Sequence, residues 1–286
     1  MEYARISGFD VIGINLASPY RNQKLDLRDE VKTYEFLEKV RPDYIVHSAA
    51  LSSADACEMD KENCSKTNIS TSIFLAKACS MVGGKMIGIS SDYVFDGKNG
   101  PYSESDPTHP INEYGRAKLK GEKMLAKYCP NSLSIRSCVL YDWNPRPRRE
   151  NFLVWLIKKL TLNEKVKIVD DQFATPTFIP LLAEVIVELL QSDHRGVINV
   201  SGSEWLSRYD FSVKAADIFG LDSSLITRSD SSQFIQSAQR PLKGGLKIEQ
   251  VENLLEKKMY SCAQGLQICK NIKEGYFEEN QWPIRK

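Results

Sequence analysis

The chain has 286 residues, 42% of them hydrophobic and 26% charged, with a formal net charge of +1. That length holds one large α/β domain, or one domain and a smaller lobe. Lys and Arg are interspersed among Asp and Glu, which argues against a nucleic-acid partner, since that would demand a basic stripe.

No apolar run approaches the ~18 residues that span a bilayer. The first residues lack the basic-then-apolar pattern of a signal peptide. No membrane association and a cytoplasmic location are therefore expected. The 7 Cys form no Cys-x-x-Cys pair and read as free thiols in a reducing compartment.

In chain order, Met1 to Ile6 reads as the end of a helix, with Gly8 beyond it as the cap. Asp10 to Leu16 reads as a strand and residues 30–40 as a helix. Asp43 to Ala50 is a short buried strand running into small residues. Residues 60–82 read as one long helix, its stripe formed by Ile69, Ile73, Leu75, Ala76 and Ala78. Lys85 to Ser90 is a buried strand, 112–128 a helix, and Ser132 to Arg136 a strand. Strands apolar throughout, alternating with helices, predict a parallel sheet covered on both faces. Right-handed crossovers make it a doubly wound, Rossmann-like α/β sheet, with ligands beyond the carboxyl ends of the strands.

The rhythm loosens after Asp142, where residues 142–150 read as a loop with two Pro and three Arg. Helices are expected at 151–162, 178–192, 208–219, 246–256 and 262–274, with strands near 166–169 and 196–200. This predicts a main domain over 1–142 with part of 160–200, and a smaller, mostly helical lobe over 143–286.

The chemistry concentrates at two places. Ser90, Ser91, Asp92 and Tyr93 follow the end of a strand. Tyr114 and Lys118 lie at i and i+4 on the next helix, on one face, with Asn112 as a candidate N-cap. A phenol titrates near 10, and a cation within ~4–6 Å lowers that by roughly 1–3 pH units. Lys118 would therefore bring Tyr114 towards proton donation at neutral pH. Ser91 would hydrogen-bond the carbonyl oxygen that receives the proton. A second Tyr-x-x-x-Lys pair, Tyr20 and Lys24, falls in a loop and reads as chance. Asp92 and Asp96 read as turn formers. His47, His109 and His194 are scattered, so no metal site is expected.

The runs Ile89 to Gly97, Pro110 to Lys118 and Gly121-Glu122 resemble the extended short-chain dehydrogenase/reductases. Within them the sequence is most similar to the dTDP-4-dehydrorhamnose reductases, from about residue 8 onwards. The resemblance implies a catalytic trio of Ser91 (Thr is commoner there), Tyr114 and Lys118. It implies NADPH as cofactor, with NADH as the alternative, held by Asp26, Leu27, Ser48, Ala49, Ala50, Asn68 and Ser90 together with Tyr114 and Lys118. Domain 1–142 would then bind the cofactor, and the lobe 143–286 the substrate. After Leu16 no acidic residue is placed to take a ribose 2′-hydroxyl. Ser18 and Arg21 stand there instead and suit a 2′-phosphate, hence NADPH.

The implied substrate is a 4-keto-6-deoxyhexose on deoxythymidine diphosphate, touched by Ser91, Asp92, Tyr93, Asn151 and Arg240. Arg240 precedes Pro241 and reads either as a rigid turn or as a guanidinium forked onto the diphosphate. Val139 replaces a common Trp and Asp142 a common Gly near the expected sugar. A dehydratase is disfavoured, because Asp92 is followed by Tyr93 rather than a second acid. The regulatory β subunit of methionine adenosyltransferase resembles the same motifs, so a non-catalytic binding role, and a homodimer or a partner protein, remain open alternatives.

The glycine-rich phosphate turn of such folds, with its strand, would precede Met1. Without it, two or three charge-assisted hydrogen bonds to the pyrophosphate are lost. At roughly 1.5–3 kcal/mol each, that is about 10²–10⁴ in affinity, so weak NADPH binding is expected of these 286 residues.

Overall fold

Apolar strands and amphipathic helices alternate as predicted, and the strands of the central sheet lie parallel. The computed structural model describes residues 1–16, 22–144 and 150–276. The first half contains α1 (Glu2–Ile6), β1 (Gly13–Asn15), β2 (Asn22–Lys24), α2 (Glu30–Val40), β3 (Tyr44–His47), α3 (Ala54–Met59), α4 (Lys61–Ser65), α5 (Thr71–Val82), β4 (Lys85–Ser91), α6 (Glu113–Tyr128) and β5 (Ser132–Ser137). There follow β6 (Leu140–Tyr141), α7 (Phe152–Thr161), β7 (Val166–Val169), β8 (Phe173–Ala174), β9 (Thr177–Phe178), α8 (Ile179–Gln191) and β10 (Gly196–Asn199). The chain continues through β11 (Leu206–Ser207), α9 (Arg208–Phe219), β12 (Ile226–Ser229), α10 (Glu249–Leu255) and α11 (Cys262–Lys273).

The central sheet is parallel in the order β10-β5-β4-β3, with β1 and β2 as a separate parallel pair. Successive β4 side chains point to opposite faces. Met86 joins Leu37, Leu75, Cys79 and Leu125 beneath α2, α5 and α6, while Ile87 joins Leu133, Leu181, Val185 and Ile198 on the α8 face. Both faces are thus buried, which is why β4 opens as a near-continuous apolar run, whereas β5 alternates Leu133 and Ile135 with the buried polar Ser132, Ser134 and Arg136. α1 packs against α8. It closes as a Schellman motif, with Gly8 at φ 88° and Phe9 N–H donating to Ala4 O at 3.0 Å. Lys85, buried at the start of β4, donates to the carbonyls of Leu189 and Ser192 and so neutralises the carbonyl end of α8. β3 is one of the two outer strands of the four and leaves Tyr44 and Val46 exposed.

Three expectations shift. The strand at 10–16 is ordered as β only over Gly13–Asn15. The helix expected over 60–82 is interrupted by a π-helical turn at Lys66–Ser70 between α4 and α5. The short strands β6, β8, β9, β11 and β12 were not foreseen, because two to four residues carry too little periodicity. They pair as β6-β9, β8-β11 and β7-β12, and α9 packs on both α7 and α11. All seven cysteines are free and buried. Among the described residues, no helix is long and apolar enough to cross a membrane.

Candidate active site

β4 delivers Ser91 to its carboxyl end, where Asp92–Val94 turns in a 3₁₀ helix. The Ser91 hydroxyl accepts from Tyr93 N–H at 3.2 Å and donates to Asp92 Oδ1 at 3.1 Å. Asp92 Oδ2 accepts from Gly245 N–H at 3.2 Å. The strand end is thereby held from two sides.

α6 starts against that turn. Asn112 caps it, its Oδ1 accepting from Gly115 N–H at 2.8 Å while its Nδ2 donates to Gln239 O at 2.7 Å. A Cβ on Gly115 would sit 2.1 Å from Tyr93 O, so only glycine lets the helix lie this close. Tyr114 is consequently edge-on to Tyr93, ring centroids 5.7 Å apart. One turn later, Lys118 Nζ donates to Ile89 O at 2.9 Å and lies 5.8 Å from the Tyr114 ring centre.

Beneath this pair Ser90 Oγ donates to Glu122, and Arg136 forks onto the same carboxylate at 2.9 and 2.8 Å. Glu122 and Arg136 are both buried. His47 bonds Thr71 Oγ1 at 3.3 Å, and its other ring nitrogen is buried without a partner. Burial, with a smaller contribution from Lys118, pushes the His47 ring down to about 3 and keeps it neutral.

Electrostatics correct one expectation. Burial raises the Tyr114 phenol above its ordinary value, with a hydrogen bond from Ser91 opposing that rise. Burial also brings Lys118 down to about 8. Withdrawal from water outweighs the Ser91 hydrogen bond, so the predicted lowering of Tyr114 does not hold in this structure. Burial lifts Asp92 to about 6.

The residues expected at the cofactor divide. Ser48, Ala49 and Ala50 form the loop after β3, its first two residues exposed. Asn68 is buried and spends its amide on Leu51, accepting from the N–H at 2.8 Å and donating to the carbonyl at 3.1 Å. It therefore shapes that loop from beneath. Asp26 accepts from Arg28 through backbone and guanidinium, and Arg28 holds its carboxyl below the usual range. Leu27 packs at the edge of the α2–α5 core. Ser90 faces Glu122. Arg21 and Ser18 lie outside the described residues.

Of the residues expected at the substrate, Asp92 and Tyr93 line a cleft with Phe173, Arg208 and Phe211. Asn151 caps α7 and donates to Asp142. Arg240 is paired with Asp55 and donates to Ala238 O at 2.8 Å. Sequence reasoning missed Arg208 in this cleft. One signal was available for Arg208: it follows the cap Ser207, and a cation in the first turn of a helix opposes the macrodipole.

A nicotinamide cofactor fits this donor set at its ribose end. Lys118 spends one hydrogen bond on Ile89 O and keeps others for ribose hydroxyls, beside the small residues that end β3. The glycine turn for the pyrophosphate is not among the described residues. Nor do these include any cluster of three or more His, Cys, Asp or Glu able to hold a metal.

Comparison with known proteins agrees with this geometry. A family model described as the RmlD substrate binding domain matches residues 6–273. Methionine adenosyltransferase 2 subunit beta of Rattus norvegicus is 32% identical over 248 residues, 85% of this chain and 73% of that protein. The probable low-salt glycan biosynthesis reductase Agl14 of Haloferax volcanii is 30% identical over 234 residues, 81% and 78% of the two chains. A hypothetical dTDP-4-dehydrorhamnose reductase from Sulfolobus tokodaii superposes with a TM-score of 0.81 at 30% identity, over 91% of this chain and 92% of that one. A dTDP-4-dehydrorhamnose reductase from Clostridium acetobutylicum does so at 0.81 and 26%, over 87% and 88%. With its strand-end serine, its Tyr114–Lys118 helix and its parallel sheet, the chain belongs to the RmlD family of the extended short-chain dehydrogenase/reductases, NAD(P)-dependent oxidoreductases acting on sugar nucleotides.

Proposed function

We propose that the chain reduces a 4-keto-6-deoxyhexose carried on deoxythymidine diphosphate, using NADPH in preference to NADH. The observation that carries this reading is the meeting of Ser91, Tyr114 and Lys118 at the end of β4, beside a cleft bounded by Asp92 and Tyr93. Bound nicotinamide supplies hydride to the keto carbon. Tyr114 gives its proton to the carbonyl oxygen as that oxygen gains charge, and Ser91 donates a hydrogen bond to the same oxygen. Lys118 holds the ribose, and its charge favours the phenolate left behind. The raised Tyr114 pKa keeps the phenol protonated before the transfer. Residues 1–142, with part of 160–200, would carry the cofactor, and 143–286 the sugar nucleotide. Seven free buried thiols favour a cytoplasmic setting.

The test is NADPH oxidation by the full chain with dTDP-4-dehydrorhamnose. Oxidation that depends on the ketosugar supports the reading. None, from a chain shown to bind both compounds, overturns it.

A second reading has one observation behind it, the 32% identity to methionine adenosyltransferase 2 subunit beta. In that reading the chain is a partner protein of a methionine adenosyltransferase. Stoichiometric co-purification with the catalytic subunit, without ketosugar reduction, would favour it.

A further inference from the structure

His47 closes β3, and its register partner on β4 is Gly88. The ring is buried and meets Thr71 Oγ1 through Nε2 at 3.3 Å. Thr71 has a single hydroxyl proton, and it goes to Thr67 O at 2.6 Å. Towards His47 that hydroxyl can therefore only accept, which makes Nε2 the N–H of the ring. Burial keeps the ring neutral, so Nδ1 carries a bare lone pair. Among the described residues this buried atom has no hydrogen-bond partner.

An acceptor withdrawn from water is costly unless a donor reaches it. His47 lines a polar pocket beneath α6 with Ser72, Ser90, Lys118 and Glu122. Gly88, on the same wall, adds no side chain to fill it. Ser90 donates to Glu122, and Ser72 to Asn68 O at 3.0 Å. Lys118 spends one N–H on Ile89 O, next along β4 from Gly88, and holds two more. Its other titratable neighbours are committed or neutral. Glu122, one turn further along α6, gives its carboxylate to Arg136 and Ser90. Cys57 on α3 and Cys64 on α4 act on Lys118 as thiols, and burial raises the Cys57 thiol well above its ordinary value. Burial likewise keeps the Tyr114 phenol protonated. An imidazole nitrogen is far more basic than the serine hydroxyls of this wall, so it is the better acceptor for an ammonium. Lys118 in turn disfavours a proton on His47, the reciprocal sign of the same interaction.

We propose that His47 is a positioning residue for the reduction: as the Nε2–H tautomer it turns its Nδ1 lone pair to the Lys118 pocket and holds that ammonium charged beside Tyr114. This rests on the reductase reading. In so dry a pocket an acceptor counts for more than it would in water.

The test replaces His47 and reads Lys118. In His47→Leu, the fall in reductase rate expected near pH 8 should move about 1–2 pH units lower. Melting curves read the same titration without substrate. The rise in stability that begins as folded Lys118 sheds its proton should begin lower by the same interval. His47→Asn sets an amide oxygen near the Nδ1 position and should restore both midpoints. His47→Gln reaches towards the Nε2 position and should restore neither. Melting temperatures establish that each variant is folded. Midpoints that stay near 8 in a folded His47→Leu, however far its Tm falls, would overturn the role. A wild-type chain that reduces no ketosugar would overturn the reductase reading instead, and the melting curves alone would then decide whether His47 holds the Lys118 charge.

Discussion

The Lys118 ammonium donates to the Ile89 carbonyl at 2.9 Å, pinning the second turn of α6 to the strand that carries Ser91. Burial lowers this ammonium to about 8. Below that pH it is charged and competent to hold a ribose, and above it the charge is lost. The reductase rate should therefore fall as pH rises through about 8. Stability should move the other way. From about 8 up to the ordinary Lys value, the unfolded chain holds a proton that the folded chain has shed, so stability rises with pH. In Lys118→Met the stability rise should disappear. Parallel pH–rate and pH–melting curves check this, and a rate that climbs through pH 8 would contradict it.

Tyr114→Phe removes the proton donor and keeps the ring packed edge-on against Tyr93. Turnover should drop by roughly 10²–10⁴, with nucleotide-sugar affinity nearly unchanged. Steady-state kinetics beside calorimetry separate the two quantities. An equal loss in both would assign Tyr114 to binding rather than to proton transfer.

The trio was legible because strand, cap and helix each left a local signature. Ser91 follows an apolar run, Asn112 is a polar cap, and Tyr114 and Lys118 share the i, i+4 spacing. The sign of the Tyr114 shift was not legible, since it depends on how much water the folded chain removes, and spacing carries no burial. Asn68 reads as a cofactor residue by position, yet its amide is consumed by Leu51, a contact spanning 17 residues. Arg240 and Arg208 look alike as single arginines. Only the fold gives one of them an ion pair with Asp55 and seats the other over the Phe152 ring. The doubly wound sheet was legible for the reason the trio was, because β4 carries Met86 to one face and Ile87 to the other within one local apolar run. The two-residue strands that shape the cleft repeat nothing and left no trace.

Glu122 sits where Ser90, Arg136 and the base of α6 meet, and both members of the ion pair are buried. Glu122→Gln would leave the Arg136 charge uncompensated, at a cost of about 3–5 kcal/mol. For a chain of this size that is a fall in Tm of roughly 6–20 °C. Replacing both residues, Glu122→Gln with Arg136→Met, should recover much of the loss, because no buried charge is then stranded. Thermal unfolding of Glu122→Gln, Arg136→Met and the double variant decides it. If the double variant is as unstable as the sum of the single ones, the pair is not what holds this region.

Asp55 on α3 accepts from Arg240 and from Ala238 N–H, the latter at 2.9 Å, and so fastens the segment before Pro241 to the main sheet's helices. The Arg240 side chain is largely buried, whereas that of Asp55 is about a third exposed, so solvent screens part of the attraction. A double-mutant cycle with Asp55→Asn and Arg240→Gln should therefore give a coupling of about 1 kcal/mol. The alternative role, a fork on the substrate's diphosphate, makes the opposite forecast. Arg240→Gln would then weaken dTDP binding, and the coupling to Asp55 in the free chain would be near zero. Measured on the same variants, unfolding free energies and dTDP affinities assign Arg240 to one role: a fastener if the coupling is present and affinity holds, a ligand residue if both outcomes reverse.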